Sequence, residues 1–175
     1  MMLPIFCIIT YILYYYLLEI INFFIKPELN YIDISLDPNW ISGFVQANGT
    51  FFLNITEIQG MILGYICQPQ FRIAQNKGDD YHILIKILEK LGCGNIVKPS
   101  IDRDEYYISV DSIKDLIDII IPFFKRYPIY GAKLLNFNDF CMGIDIMKNN
   151  GHLNMDGLKE LKVLANSMNS FRKLV

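Results

Sequence analysis

Residues 40–51 read Trp-Ile-Ser-Gly-Phe-Val-Gln-Ala-Asn-Gly-Thr-Phe, and this segment is the most informative part of the chain. Asp37 and Pro38, which come just before it, predict the start of a helix, because aspartate caps free N–H groups and proline suits the first helical position. Gly49 predicts the end of that helix. Over residues 50–58 polar and apolar side chains then alternate, which is the pattern of a β-strand.

Turn residues and apolar spacing predict the elements that follow. Asp111 is expected to cap a helix, and Asp102 with Arg103 to form the turn of a hairpin. The further elements are a second strand, a helix, a hairpin and three helices, at residues 61–75, 79–91, 95–99 with 105–110, 111–124, 132–148 and 155–168. Paired strands beside helices predict an α+β fold with the helices on one sheet face.

Length and composition indicate one folded domain behind a distinct N-terminal segment. Of the 175 residues, 53% are hydrophobic, which excludes a disordered chain. The formal net charge of −2 lies wholly within residues 1–36, so the remainder is neutral. A neutral domain argues against binding of duplex DNA, because basic side chains that neutralise phosphates supply much of the affinity for DNA. A neutral domain can still bind DNA if its charges are segregated to one face. Four scattered cysteines without a C-x-x-C pair predict no zinc site.

The N-terminal segment is strongly apolar. Residues 3–25 are long enough to cross a bilayer as a helix, but Glu19 and Asn22 argue against this, because an ionised carboxylate inside a membrane is costly. Two alternatives remain: a membrane helix, or an apolar helix that docks on a protein partner or on the domain. The predicted organisation is a leader helix, a linker and a folded domain, at residues 1–26, 27–36 and 37–175.

Ile41 to Gly49 resembles the nine-residue signature of the LAGLIDADG homing endonucleases. Further similarity to fungal and other mitochondrial intron-encoded members lies at residues 37–40, 50–52, 127–137, 147–153 and 157–158. The likeness covers residues 36–169 and contains one motif. It implies the αββαββα fold with a four-stranded antiparallel sheet, here preceded by the apolar N-terminal helix. It also implies an origin in the mitochondrion or another organelle.

The resemblance places neutral amides where the family has acids. The metal-binding carboxylate aligns with Asn48, and the other acidic letter with Gln46. Phosphodiester cleavage needs a metal that polarises the phosphate and activates water, and magnesium is usually held by carboxylates. We therefore expect metal-dependent cleavage to be lost, with no metal or cofactor, and Mg²⁺ only if the chain is an active endonuclease. By the same resemblance, Gln75 matches a residue that organises active-site water, and Lys133 a basic residue that stabilises the transition state.

Two small residues on the motif helix suggest a helix pair. Gly43 and Ala47 lie one turn apart, so two helix backbones could approach closely there. The alternative is that both residues pack against the domain's own core. Because single-motif family members act as homodimers with adjacent motif helices, the resemblance favours an interface with a second copy or another protein on helix 37–48.

Alternation also predicts a polar surface on the sheet. Gln68, Gln70 and Arg72 occupy alternate positions and so share a face. Glutamine suits a bidentate contact to adenine, and arginine one to guanine. The same surface is expected to include Thr50, Asn54, Thr56, Lys98, Arg103 and Tyr107. A half-solvated antiparallel sheet shows the same alternation, whereas the resemblance implies contact with nucleic acid.

These observations favour a non-cleaving organellar protein that binds RNA or DNA, with RNA slightly preferred. Such a protein would serve in a ribonucleoprotein such as the mitochondrial ribosome, or as an intron-splicing factor. The alternative is an active homing endonuclease that makes metal-dependent double-strand cuts in DNA as a dimer. A third hypothesis, a subunit of a membrane complex, depends on the apolar residues 3–25.

Overall fold

The computed structural model describes residues 35–61, 63–76, 81–98 and 105–172. The predicted leader helix at 1–26 and all but the end of the linker at 27–36 lie outside these residues, as does Arg103. In the part of the chain that is described, no helix is both long and apolar enough to cross a membrane.

The elements follow the predicted order, including the two helices at the C-terminal end. They are α1 Pro38–Asn48, β1 Gly49–Glu57, β2 Tyr65–Asn76, α2 Tyr81–Leu91, β3 Asn95–Val97, β4 Glu105–Val110, α3 in three consecutive pieces (Ile113–Asp115, Leu116–Ile120 and Ile121–Arg126), α4 Gly131–Lys148 and α5 Met155–Ser167. The four strands form one sheet in the order β1-β2-β4-β3, and all neighbours are antiparallel. The predicted α+β fold is confirmed.

The motif helix α1 begins where the sequence predicts. The Asp37 carboxylate accepts hydrogen bonds from the backbone N–H groups of Asn39 and Trp40, at 2.7 and 3.4 Å. The helix ends at Gly49, but for a different reason from the one expected. Gly49 is extended, with φ −90° and ψ 153°, rather than left-handed. A Cβ at this position would overlap Val45, so the glycine is needed for close approach of the strand to the helix.

Several predicted boundaries differ from the structure, among them the end of β3, which lies at Val97 and not at residue 99. β2 begins at Tyr65 rather than residue 61, because the turn that starts at Gln59 extends to Gly64. The cap of α3 is Ser112 rather than Asp111, since the Ser112 hydroxyl accepts from the backbone N–H of Asp115 at 3.3 Å. The same helix continues beyond residue 124, to Arg126.

Helix α3 contains one wide turn. Leu116–Ile120 is π-helical, and the N–H of Ile121 bonds to the carbonyl of Leu116, five residues back. Pro122 explains this turn, because proline has no N–H to donate and its ring collides with the carbonyl four residues earlier. The wider turn therefore accommodates the proline without ending the helix.

The core lies between one sheet face and the helices. Phe51, the third residue after Asn48, is fully buried at its centre. Its ring contacts those of Phe71, Phe124, Phe137 and Phe140, with centroids 4.8 to 5.5 Å apart. The first strand after the motif helix thus connects the sheet to both α3 and α4.

The C-terminal residues fasten the helix layer to β1. Asn169 donates from its side-chain amide to the carbonyl of Phe51 at 2.9 Å, and its backbone N–H donates to the Asn136 side chain at 3.2 Å. Arg172 forms a half-buried ion pair with Asp139. The Asn169 contact attaches the C-terminal segment to the backbone of β1.

Candidate nucleic-acid interface and motif helix

The sheet has one face without helices. Apart from Ser109, which is buried, its described side chains are half-buried or exposed, whereas the alternating neighbours that face the helices, such as Phe71 and Ile73, are buried. We call this surface the open face, and it comprises Thr50, Phe52, Asn54, Thr56, Gln68, Gln70, Arg72, Asn95, Glu105 and Tyr107.

Strand register brings most of the predicted binding residues together. Thr50 lies opposite Arg72, and Asn54 lies opposite Gln68. Thr56 and Gln70 occupy the same face of β1 and β2, and Tyr107 shares it from β4, opposite Ala74. These side chains therefore share one sheet face, as their alternation predicts, and their contact with nucleic acid stays a prediction.

One predicted position does not join them, and another lies outside the described residues. Lys98 follows the end of β3, and because Val97 pairs with Tyr107 on the open face, Lys98 is out of phase with that face. Including it was wrong, because the sequence did not reveal how short β3 is. Arg103 lies outside the described residues.

Arg72 is held in place on the open face. Its guanidinium carbon lies 4.9 Å from the ring centre of Phe52 and 4.8 Å from that of Tyr107. One terminal nitrogen, Nη2, donates to the side-chain oxygen of Gln70 at 2.8 Å. Phe52 was not among the predicted binding residues, although an aromatic side chain among the polar positions of β1 was the available signal. We call these four residues the arginine clamp.

Gln46 has a structural partner. Its side-chain amide donates to the carbonyl of Tyr130 at 2.8 Å, and its oxygen accepts from the N–H of Tyr130 at 3.0 Å. One turn earlier in α1, the Ser42 hydroxyl donates to the carbonyl of Tyr127 at 2.7 Å. Gln46 therefore has a structural role at this motif position, because its two hydrogen bonds attach α1 to the segment before α4.

Asn48 and Lys133 meet at the end of the motif helix. Asn48 is the last residue of α1, and Lys133 donates from Nζ to the carbonyl of Gly49, the next residue. Burial lowers the pKa of Lys133, because desolvation disfavours the cation. The side chain of Asn48 makes no hydrogen bond with the described residues, so its amide is available for an external contact.

Gln75 lies on β2, two residues beyond Ile73, which is the strand partner of Gly49. It pairs with Tyr106 near the end of β2, in phase with the side chains that face the helices. It is half-buried and makes an interaction within the fold. It therefore does not belong to the open face.

The described side chains at the end of the motif helix do not fit a divalent metal ion. Asn48 offers a neutral carbonyl oxygen, and Lys133 adds positive charge beside it. Within the described ranges, no three His, Cys, Asp or Glu residues are grouped as metal ligands would be. Asp37 is at the opposite end of α1, and Glu57 is at the far end of β1. Neither substitutes for a carboxylate at position 48.

One side of α1 does not pack against the described core. Ile41, Ser42 and Val45 point inward and are buried, whereas Gly43 and Ala47 are exposed. A Cβ at Gly43 would meet no atom within 4 Å. The described core therefore does not need small residues at these two positions.

Sequence comparison assigns the family. The sequence profile of the LAGLIDADG endonucleases matches residues 41–144, which is more than half of the chain. The chain belongs to the LAGLIDADG endonuclease family. This LAGLIDADG protein is 34% identical over 139 residues to the probable intron-encoded endonuclease 3 of Neurospora crassa, covering 79% of the chain and 26% of that relative. With the probable intron-encoded DNA endonuclease 1 of Mycosarcoma maydis it shares 32% over 114 residues, covering 65% of the chain and 40% of the relative.

Solved structures show the same fold. The LAGLIDADG homing endonuclease I-SmaMI bound to cleaved DNA is similar with a TM-score of 0.78 and 33% identity, over 84% of this chain and 48% of that one. The homing endonuclease I-TnaI is similar with a TM-score of 0.72 and 29% identity, over 78% of this chain and 90% of that one. This LAGLIDADG chain thus spans about half of I-SmaMI and most of I-TnaI.

Proposed function

We propose that this chain is a DNA-binding unit of an endonuclease, which grips one half of a duplex target with the open face and pairs through α1 with a second LAGLIDADG unit. The open face carries this proposal. It presents amides, hydroxyls and one fixed guanidinium on adjacent antiparallel strands, and the major groove of B-DNA admits a two-stranded ribbon.

DNA is favoured over RNA as the ligand. Relatives are named as probable endonucleases or DNA endonucleases, and I-SmaMI has been solved bound to DNA. The shape of the open face also favours DNA, because the deep and narrow major groove of an A-form RNA helix does not admit side chains for base reading. The slight preference for RNA inferred from sequence therefore finds no support beyond the neutral charge of the domain.

The motif helix supports pairing with a second unit. Gly43 and Ala47 form an exposed strip of α1, and Trp40 beside it is 43% exposed and stacked on Phe44. Small side chains let a second helix approach, and the adjacent aromatic rings offer apolar area to bury. The second unit is either another copy of this chain or a different LAGLIDADG unit.

Cleavage depends on which second unit is present. Two copies of this chain would bring together two Asn48 amides and two Lys133 side chains without a carboxylate at the helix ends. Such a homodimer is expected to bind DNA without cutting it. A second unit that carries the acid would supply the missing ligand. A divalent ion held there would polarise the phosphate and activate the attacking water.

Binding without cleavage is the second candidate function, and Asn48 is the observation that favours it. An organellar role is common to both candidates. It is supported by intron-encoded fungal relatives, one of which is named for the ND4 intron 1 of Podospora anserina. Roles in a ribosome or in splicing, and docking or membrane insertion through residues 3–25, stay as hypotheses.

The decisive experiment compares wild type with Asn48→Asp on duplexes selected by the wild-type protein from a random library. In Mg²⁺ the wild-type homodimer should bind and leave both strands intact, whereas Asn48→Asp should cleave both. The matched control is Asn138→Asp, which makes the same chemical change at an exposed position of α4, outside the open face, and should not create cleavage. Double-strand cutting by wild type alone would show that the acid is not required. If the wild type selects no duplex, the proposed DNA binding is wrong.

A further inference from the structure

The arginine clamp fixes which edge of Arg72 can reach a ligand. The Nε atom is buried and has no hydrogen-bond partner among the described residues. Phe52 on β1 and Tyr107 on β4 both contact the guanidinium from neighbouring strands. Only the two terminal nitrogens, Nη1 and Nη2, are therefore available at the outer edge.

Gln70 determines how those nitrogens are oriented. Its side-chain oxygen accepts one of the two N–H groups of Nη2, at 2.8 Å. One N–H of Nη2 and both of Nη1 then remain, because arginine carries five donors in a planar fork. Two parallel donors at the end of a fixed fork match the O6 and N7 acceptors of guanine in the major groove.

We infer that Arg72 reads one guanine in the DNA target, and that Gln70, Phe52 and Tyr107 are positioning residues that hold its fork for that contact. This inference rests on the proposed binding of duplex DNA by the open face. It also changes the role expected of Gln70. Since its oxygen is engaged by Arg72, Gln70 lacks the free donor and acceptor pair that a bidentate contact to adenine requires.

Preorganisation is the physical advantage of this arrangement. A free arginine loses considerable side-chain freedom when it is fixed against a base, whereas Arg72 is already half-buried and held on three sides. Removing one of the holding groups should therefore weaken the preference for guanine without abolishing binding to DNA.

The test selects duplexes from a library with a randomised core, using the full chain and matched variants. Wild type should enrich a site with one nearly invariant guanine, preferred over other bases by about 5- to 150-fold, as expected for a bidentate contact. Arg72→Lys should lose the preference at that position and keep the others, since lysine cannot form the fork.

A conservative and a non-conservative substitution at the same position distinguish a positioning residue from one that contacts a base directly. Tyr107→Phe keeps a ring under Arg72 and should preserve the guanine, whereas Tyr107→Leu should weaken its preference. Gln70→Glu keeps the acceptor and should preserve it, whereas Gln70→Leu should weaken it. If Gln70 read a base itself through its amide, Gln70→Glu would change the selected sequence as much as Gln70→Leu.

Each outcome bears on one claim. An unchanged sequence preference in a folded Arg72→Lys variant would overturn the inference and leave the proposed DNA binding intact. If that variant fails to fold, as judged by circular dichroism, the two Tyr107 variants decide, and equal guanine preference in both would overturn it. If wild type enriches no sequence, both the inference and the proposed function are wrong.

Discussion

The side chain of Gln46 pairs with the backbone of Tyr130 through two reciprocal hydrogen bonds, of 2.8 and 3.0 Å. Gln46 stands at one of the two acidic letters of the LAGLIDADG motif, and Tyr130 precedes the helix that carries Lys133. A carboxylate could accept from the N–H of Tyr130 but could not donate to its carbonyl. The amide is therefore used to fix α1 beside the start of α4.

Replacing Gln46 by Glu should destabilise the fold. The substitution keeps the size of the side chain but removes the donor, and it places a carboxylate oxygen against the carbonyl of Tyr130. We expect the free energy of unfolding to fall by about 1 kcal/mol, measured by urea denaturation at neutral pH. At acid pH the introduced carboxyl can donate again, so the deficit should shrink. An equal stability of the two proteins at neutral pH would contradict this role.

Phe51 and Phe52 provide an adjacent pair with opposite roles. Phe51 is fully buried among four other phenylalanines, and Phe52 lies on the open face against Arg72. Phe51→Leu should lower the free energy of unfolding by about 1–3 kcal/mol through lost packing. Phe52→Leu should change stability by less than about 1 kcal/mol and instead weaken binding to the selected duplex. Equal effects of both variants on stability would contradict the assignment of faces.

Gly43 and Gly143 give a second matched pair. A Cβ at Gly43 meets open space, whereas one at Gly143 would overlap the methyl groups of Leu53 where α4 crosses β1. Gly43→Ala should stabilise the monomer by about 0.5–1 kcal/mol, because alanine is a better helix former. Gly143→Ala should destabilise it by about 1–3 kcal/mol. Thermal melts at low protein concentration measure both.

Gly43 also tests the helix pair. A larger residue such as leucine at this exposed position leaves the core of the monomer unchanged but holds two motif helices apart. Gly43→Leu should therefore shift the protein toward monomer in sedimentation velocity on the selected duplex, compared with Gly43→Ala. Equal association by the two variants would show that α1 is not the interface.

Lys133 should make stability depend on pH. Burial lowers its pKa in the folded state from the ordinary value of 10.5, so the unfolded chain binds more protons in the interval between the two values. Stability from this group therefore increases as pH rises through that interval. The wild type should gain stability relative to Lys133→Arg between neutral pH and about pH 10, since arginine stays protonated. A constant difference across that range would contradict the effect.

The sequence was sufficient for elements whose signals are local. Asp37 and Pro38 at the start of α1, and the alternation along β1 and β2, depend on neighbouring residues only, and the structure has them as predicted. Gly92, with φ 72°, ends α2 in the left-handed conformation expected of a terminal glycine. The cap of α3 was missed because Asp111 and Ser112 are both good caps, one residue apart.

The contacts that define the candidate site depend on distant residues. Gln46 and Tyr130 are 84 positions apart, and no periodicity connects them. The arginine clamp joins β1, β2 and β4, so it requires the strand register and not just the alternation within each strand. Amino-acid similarity located the motif, but only the fold showed that its two amides differ: Gln46 bonds to Tyr130, whereas Asn48 makes no hydrogen bond with the described residues.

Binding of DNA by the open face is tested most directly by equal changes of charge on the two sides of the molecule. The measured quantity is the affinity of the full chain for its selected duplex. On the open face, Asn54→Asp with Gln68→Glu adds two acids at exposed positions. On the helix layer, Met142→Glu with Val163→Glu adds the same charge at side chains that are 56% and 69% exposed. Fluorescence anisotropy should show at least a tenfold loss of affinity for the open-face variant and little change for the helix-layer variant. Equal losses in the two variants, or a larger loss for the helix layer, would contradict the claim that the open face binds DNA.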